Sequence, residues 1–400
     1  MLAGLGSRAR LRGMGVAGTV SKSEVKKGGR RAGGRFNGAG RGRANGHGAR
    51  HRRRAAQGPV YAAVDLGTNN CRLLIARPVT SESGAGAFKV VDSFSRIVRL
   101  GEGLGAGGTL SDEAMSRTIA ALSVCAGKMK DWRVVKSRAV ATAACRHAAN
   151  SPAFVARVAR ETGLALEVIT AEEEARLTVA SCAPLFDHEH DMALVFDIGG
   201  GSTELIWLAL ERGGVFRTAH WISIPFGVVT LAEAFGGRDV TPEAYEAMVT
   251  HVAGQIEAAG LPPGWDPTAL APRTHLMGTS GTLTILASLH LGLTRYERTR
   301  IDGLWLAPAE IRAVAQALRA TSYDARAGHA CIGRARADLV IPGAAIFEAI
   351  WRLWPCERLR VADRGLREGM LLALMAERRE PVPRFGEAGG APRGVPPAGP

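Results

Sequence analysis

Residues 195–205 read Val-Phe-Asp-Ile-Gly-Gly-Gly-Ser-Thr-Glu-Leu. An apolar run ends in Asp197, three glycines follow, and Glu204 opens a second apolar run. The pattern reads as strand, tight turn, strand. A turn without side chains lets backbone N–H groups approach an anion closely, which is how glycine-rich turns bind phosphate. Gly199, Gly200 and Gly201 fit that use, and Ser202 and Thr203 add hydroxyl donors.

The stretch has a twin. Residues 63–75, "AVDLGTNNCRLLI", align with 195–207, "VFDIGGGSTELIW", without a gap at a constant offset of 132 residues. Asp65 falls on Asp197, Gly67 on Gly199, Asn70 on Ser202, and Arg72 on Glu204. Each hairpin opens one half of the chain, which points to a duplicated unit. Thr68, Asn69 and Asn70 offer donors from the first loop, so two such loops facing across a cleft would grip a phosphate chain from both sides. Asp65 and Asp197 stand at the loop mouths, where a carboxylate holds Mg²⁺ directly or through water, and the ion would offset phosphate charge. Glu204 is not explained by the repeat; it is expected to orient a water, against the alternative of a solvent-facing strand residue.

Outward from the hairpins, strands and helices alternate. Residues 60–65, 71–77, 138–144, 164–170, 192–197 and 204–210 read as strands; 110–132, 151–163, 241–259, 308–319 and 342–354 have helical period. This is an α/β chain in two halves, with expected domains at 58–188 and 189–380 and the C-terminal helix returning to the first. The formal charge of +14 sits entirely in residues 1–57, which hold 15 Lys/Arg and one acid, while residues 58–400 hold 36 of each sign. The folded part is therefore not a broadly basic nucleic-acid binder. The Gly/Arg/Ala-rich 1–57 segment and the Pro/Gly-rich 381–400 segment cannot bury enough apolar area to order themselves and are expected to be disordered; the first is a solvated tail, a loose polyanion binder, a transit peptide or a misplaced start. No run approaches the ~18 apolar residues of a membrane span. Six cysteines without a C-x-x-C pair argue against a thiolate zinc site and a disulfide scaffold, and a cytoplasmic setting is expected.

The segment 168–182, "VITAEEEARLTVASC", offers a third acid. Thr170 and Glu173 have capping-box spacing, and Glu172 and Arg176 stand i,i+4. That leaves Glu174, either on a solvated helix face or in the cleft, where it could order a water for attack on phosphorus.

Together "AAVDLGTNNCRLLIA", "ATAACRHA", "EEEARL", "VFDIGGGSTEL", "IPFGVVTL", "GTSGT" and "ADRGLREGML", in this order over about residues 60–378, resemble the Ppx/GppA family of exopolyphosphatases and guanosine pentaphosphate phosphohydrolases. The resemblance implies two similar actin-like domains of the Hsp70 and sugar-kinase superfamily, ribonuclease H-like, with a cleft between them. It implies a Mg²⁺-assisted hydrolase that removes a terminal phosphate from pppGpp or polyphosphate. It places the catalytic glutamate at Glu174, a second at Glu204, a metal-associated aspartate at Asp197 and a phosphate-directed arginine at Arg146; Arg367 matches a motif position of no assigned role. The first loop departs from the common D-L-G-S-N-S at Thr68 and Asn70, and Glu172 replaces an asparagine. Longer members carry a C-terminal HD-like region that this sequence is too short to include. The expected partners are the substrate, polyanions on the N-terminal segment, no membrane, and a second copy in a homodimer. The competing readings are a non-catalytic alarmone or polyphosphate sensor and a phosphotransferase of the same superfamily.

Overall fold

A computed structural model describes residues 58–79, 88–212, 214–261 and 266–377; the 1–57 and 381–400 segments lie outside the described residues. The first sheet comprises β1 Tyr61–Leu66, β2 Asn70–Pro78, β3 Phe88–Ile97, β4 Lys136–Ala141 and β5 Leu166–Val168, in the order β3-β2-β1-β4-β5. The second comprises β6 Met192–Ile198, β7 Thr203–Glu211, β8 Val215–Ile224, β9 Thr274–Gly278, β10 Trp305–Leu306 and β11 Leu359–Val361, in the order β10-β11-β9-β6-β7-β8. Read from its other edge, the second sheet repeats the first and adds β10. In both, the leading strand pairs antiparallel with the second strand and parallel with the fourth.

The repeat extends to single rungs. Asp65 pairs with Arg72, and Asp197 with Glu204. The β2–β3 ladder slips between Ile75 and Ala76, and the β7–β8 ladder between Trp207 and Leu208, the same repeat positions. A bulge shared this way is part of the unit, since a one-residue slip reverses which face every later side chain meets.

The leading strands are buried on both faces, which explains their near-continuous apolar runs. Alternate residues go to opposite sides: Ala62, Val64 and Leu66 to one core, Tyr61 and Ala63 to another. In β6, Leu194, Phe196 and Ile198 face one core and Ala193 and Val195 the other. The expected strand at 138–144 is shorter: Thr142 N–H reaches Leu66 O, the ladder stops at Ala141, and the alanine-rich chain turns into the helix Ala143–His147.

Two further helices pack against each other and the first sheet. Leu366–Ala376 packs on the first sheet through Leu366, Met370, Leu371 and Leu374. Ala171–Cys182 lies beside it, with Leu177 in that same cluster and Ala175 and Cys182 in the core under the second sheet. It thus spans both sheets. Gly369 is the contact: a Cβ there would sit 2.0 Å from Leu177 O. Among the described residues, no helix is long and apolar enough to cross a membrane, and all six cysteines are buried free thiols.

Gly369→Ala should therefore lower stability by roughly 1–3 kcal/mol or more, because backbone atoms cannot yield as a side chain would. Gly254→Ala, in the helix Pro242–Ala259 with open space around it, should raise stability by about 0.5–1 kcal/mol. Thermal melts of both variants check the pair; equal shifts would show that Gly369 is not a tight contact.

Candidate active site

Each hairpin turn closes alike: Gly67 N–H donates to Asn70 O, and Gly199 N–H to Ser202 O, both at 2.9 Å. Behind the second loop, the first turn of the helix Val228–Phe235 ties down its carbonyls. Val228 N–H donates to Gly199 O (3.0 Å) and Val229 N–H to Gly200 O (2.8 Å). In a planar trans peptide the N–H points opposite its carbonyl, so the N–H groups of Gly200 and Gly201 are turned to the other side; they have no partner among the described residues. The first loop is held likewise, with Gly101 N–H on Thr68 O (3.0 Å) and Val98 N–H on Asn69 O (2.9 Å).

The loops do not merely face each other; they touch. A Cβ on Gly200 would lie 3.0 Å from Thr68 Cβ and 3.2 Å from Asn69 N, and one on Gly201 would lie 2.7 Å from Thr68 Oγ1. At Gly227 it would lie 2.4 Å from Gly200 C. The glycines thus serve close backbone packing as well as donor exposure. Two expected donors are turned away. Thr203 is fully buried and its hydroxyl donates to Phe226 O (2.7 Å), while Ser202 Oγ donates to Glu204 Oε1 (2.8 Å). Asn69 and Asn70 lie on the cavity wall, each with a buried, unpartnered Oδ1.

The loops line a cavity of about 490 Å³ whose wall includes Asp65, Asp197 and Glu174. Glu174 is in the first turn of Ala171–Cys182, capped by Thr170 Oγ1 accepting from Glu173 N–H (3.1 Å). Arg176 pairs with Glu173 (2.7 Å), and not with Glu172 as the spacing suggested, because Arg138 also draws the Glu173 carboxylate inward (2.9 Å). Arg176 and Arg138 hold Glu173 down at about 2. Behind Glu174, Arg146 Nη1 donates to its Oε2 (2.7 Å), and Arg146 Nη2 is 4.0 Å from Glu204 Oε1. Arg146 is therefore held between two carboxylates off the cavity wall, rather than directed at a phosphate as expected.

Burial raises every acid of the set. Glu174 is pushed well above the usual glutamate range by burial and then by Glu204, against the pull of Arg146. Glu204 rises to about 7 through burial and the Asp197 charge, although Ser202 and Ser223 (2.9 Å) donate to it. Asp197 rises to about 6, burial outweighing Arg72 and Thr279. Asp65 is also raised by burial, with Arg72 and Arg367 opposing. Two desolvated aspartates beside a cavity fit a divalent cation. No group of three or more metal-ligating side chains occurs among the described residues; a divalent cation here would share these two carboxylates with a ligand's oxygens.

Sequence reasoning assigned no role to the main positive charges. Arg72, Arg336 and Arg367 line the cavity, and among the described residues none of their guanidiniums has a hydrogen-bond or close ion-pair partner. Arg72 acts on both Asp65 and Asp197. Arg336 is lowered by burial and then by Arg72, as expected of two guanidiniums close to one another. The repeat itself pointed to Arg72, the rung partner of Asp65; no local pattern marked Arg336.

Residues 79–378 match the model of the Ppx/GppA phosphatase family. An exopolyphosphatase 2 of Mycobacterium tuberculosis is 31% identical over 322 residues, 78% of this chain and 98% of that protein. A guanosine-5'-triphosphate,3'-diphosphate pyrophosphatase of Photobacterium profundum is 32% identical over 80% of this chain, which spans only 60% of that longer protein. The crystal structure of the Aquifex aeolicus member of the Ppx/GppA family superposes with a TM-score of 0.65 at 27% identity, over 81% of this chain and 99% of that one. Such structures carry the actin-like fold, and the two repeated sheets here share it.

The acids make a stability prediction that needs no ligand. Glu204 and Asp197 bind protons more tightly folded (about 7 and 6) than at their ordinary values of 4.5 and 3.8. The stability this gives is complete at low pH and is lost as pH rises through the folded values. Tm should fall between about pH 5 and pH 7, and Glu204→Gln should flatten that fall. A slope unchanged in the variant would show that Glu204 does not titrate there.

Proposed function

The chain belongs to the Ppx/GppA phosphatase family and is a phosphoanhydride hydrolase, and we propose that it removes the terminal phosphate of pppGpp or of short polyphosphates, with Glu174 as general base. The observation that carries this reading is Glu174 itself: a cavity-wall carboxylate with a raised pKa, held by Arg146 at 2.7 Å beside two phosphate-type loops. Glu174 accepts a proton from water as the water oxygen attacks phosphorus, and the bridging oxygen departs with the shortened chain. A base with a pKa nearer the working pH accepts that proton more effectively than an ordinary glutamate.

Glu204 and Arg146 act behind it. Arg146 fixes the Glu174 carboxylate, and Glu204 holds Arg146 and raises the affinity of Glu174 for the proton. The N–H groups of Gly200 and Gly201, with Asn69 and Asn70 opposite, bind phosphate oxygens, and Arg72, Arg336 and Arg367 neutralise the chain's charge. Gly67, Gly199, Ser202 and Thr203 shape the loops, the two hydroxyls being taken by Glu204 and Phe226, while Thr68, on the cavity wall, offers its hydroxyl to a phosphate oxygen. Asp65 and Asp197 would hold Mg²⁺, which when bound supplies charge neutralisation at the phosphate oxygens. On this reading residues 58–188 and 189–380 are the two domains, with the helix Leu366–Ala376 returning to the first sheet. The limited cavity and the net-neutral 58–400 region favour pppGpp and short chains over long polyphosphate, which needs an extended positive channel.

Glu174→Gln should lower phosphate release from pppGpp and tripolyphosphate by about 10²–10⁴-fold with little change in Tm; wild-type turnover in that variant would remove Glu174 from the mechanism. The same assay across pH should show kcat/KM rising as Glu174 loses its proton, with the acid limb above the ordinary glutamate range. In Glu204→Gln the limb should move to lower pH, because a neighbouring negative charge is gone.

A further inference from the structure

We propose that Arg99 is a positioning residue for phosphate binding, acting through an ion pair that ties the first loop to the segment bearing Arg336; this rests on the cavity being the phosphate site described above. Arg99 has φ +47°, one of two non-glycine residues with positive φ among those described. That region disfavours a long L side chain. Its use here is visible: Val98 and Arg99 N–H both converge on Asn69 O, at 2.9 and 3.0 Å. The Arg99 backbone is thereby fixed to the first loop.

Its side chain reaches the other half of the molecule. Arg99 Nη2 donates to Asp338 Oδ2 at 3.0 Å. Asp338 stands two residues after Arg336 and directly before Leu339 and Val340, all three on the cavity wall. That segment is pinned independently within its own half. Arg326, 2% exposed, donates to Ala337 O (3.1 Å), and a Cβ on Gly237 would lie 1.9 Å from Asp338 O. With both ends fixed, the ion pair sets the separation between the first loop's N–H donors and the Arg336 guanidinium. Those two groups must meet the same phosphate chain.

The pair is half-exposed, at 36% and 23% for the two side chains. Exposed pairs add little to folding stability, so its effect should lie in binding. Arg99→Gly is the discriminating variant, because glycine keeps the φ +47° turn without strain while deleting the pair. Tm should hold or rise, KM for inorganic tripolyphosphate should rise on the order of tenfold, and kcat should stay within about twofold. Asp338→Asn should do the same, and Arg99→Lys should stay near wild type in KM. Raised ionic strength should shrink the difference between wild type and Arg99→Gly. Unchanged KM in Arg99→Gly, or an Arg99→Lys variant as impaired as Arg99→Gly, overturns the proposal. Hydrogen exchange at residues 336–340 is read in parallel. Faster exchange in Arg99→Gly supports the tie even if the wild type proves inactive on tripolyphosphate, an outcome that counts against the proposed function alone; unchanged exchange with unchanged KM counts against the tie.

Discussion

A peptide group is planar and trans, so whatever holds its carbonyl also aims the N–H on its far side. Both loops of this protein depend on that constraint. In each half, the segment that follows the third strand donates to the loop's carbonyls: Val98, Arg99 and Gly101 after β3, and Val228 and Val229 after β8. The outcome is a set of N–H groups facing one cavity with no side chain directing them. It also explains why the glycines cannot be replaced freely. Gly227 and Gly200 sit where backbone meets backbone, and a Cβ at Gly227 would be 2.4 Å from Gly200 C. Close packing behind the loop and donor exposure in front of it are two consequences of one arrangement.

The charges follow from the same closeness. Drawing the loops together leaves Asp65, Asp197, Glu174 and Glu204 little water, and burial is the largest influence on each. A buried carboxylate becomes easier to protonate unless a cation compensates. The protein supplies partial compensation. Arg146 serves Glu174, Arg72 and, for Asp65, Arg367 serve the two aspartates, and neither Arg336 nor Arg367 makes a close ion pair among the described residues. Positive charge thus stands on the cavity wall beside acids whose proton affinity burial has raised.

Much of the fold was legible because the hairpin repeat is local and strict: identical offset, identical rung, identical bulge. The central strands and the longer amphipathic helices also fell where their periods placed them. The strand reading leaves out β3 and β8, although each has ten residues, because these edge strands are largely exposed and carry no clean apolar alternation. It also leaves out β9, β10 and β11, which at five, two and three residues are too short for a period to show. The site was legible in part. Glu174, Glu204, Asp65 and Asp197 do come together, yet the hydroxyls of Ser202 and Thr203 and the guanidinium of Arg146 face other protein groups. Residue type fixes what a side chain can donate; only packing decides which acceptor it finds. Arg336 lies in a stretch with no motif and reaches the cavity through topology alone, and the pairing of Glu173 with both Arg138 and Arg176 needed a strand that spacing along one helix cannot show.

The duplication also shows how two equal halves take unequal work. The rung beside the leading aspartate is Arg72 in one half and Glu204 in the other. The backbone environment is the same, so the difference lies in the side chain and its neighbours. Arg72 extends to the cavity wall, where a Cβ on Gly281 would lie 3.8 Å from its Nη2. Glu204, 2% exposed, turns back to Ser202, Ser223 and Arg146. One rung therefore presents positive charge to the cavity, and the other raises the proton affinity of Glu174. A symmetric pair of acids, or of arginines, would do only one of these. On the proposed mechanism, opposite charges on one repeated rung divide binding from proton transfer without any change in the fold.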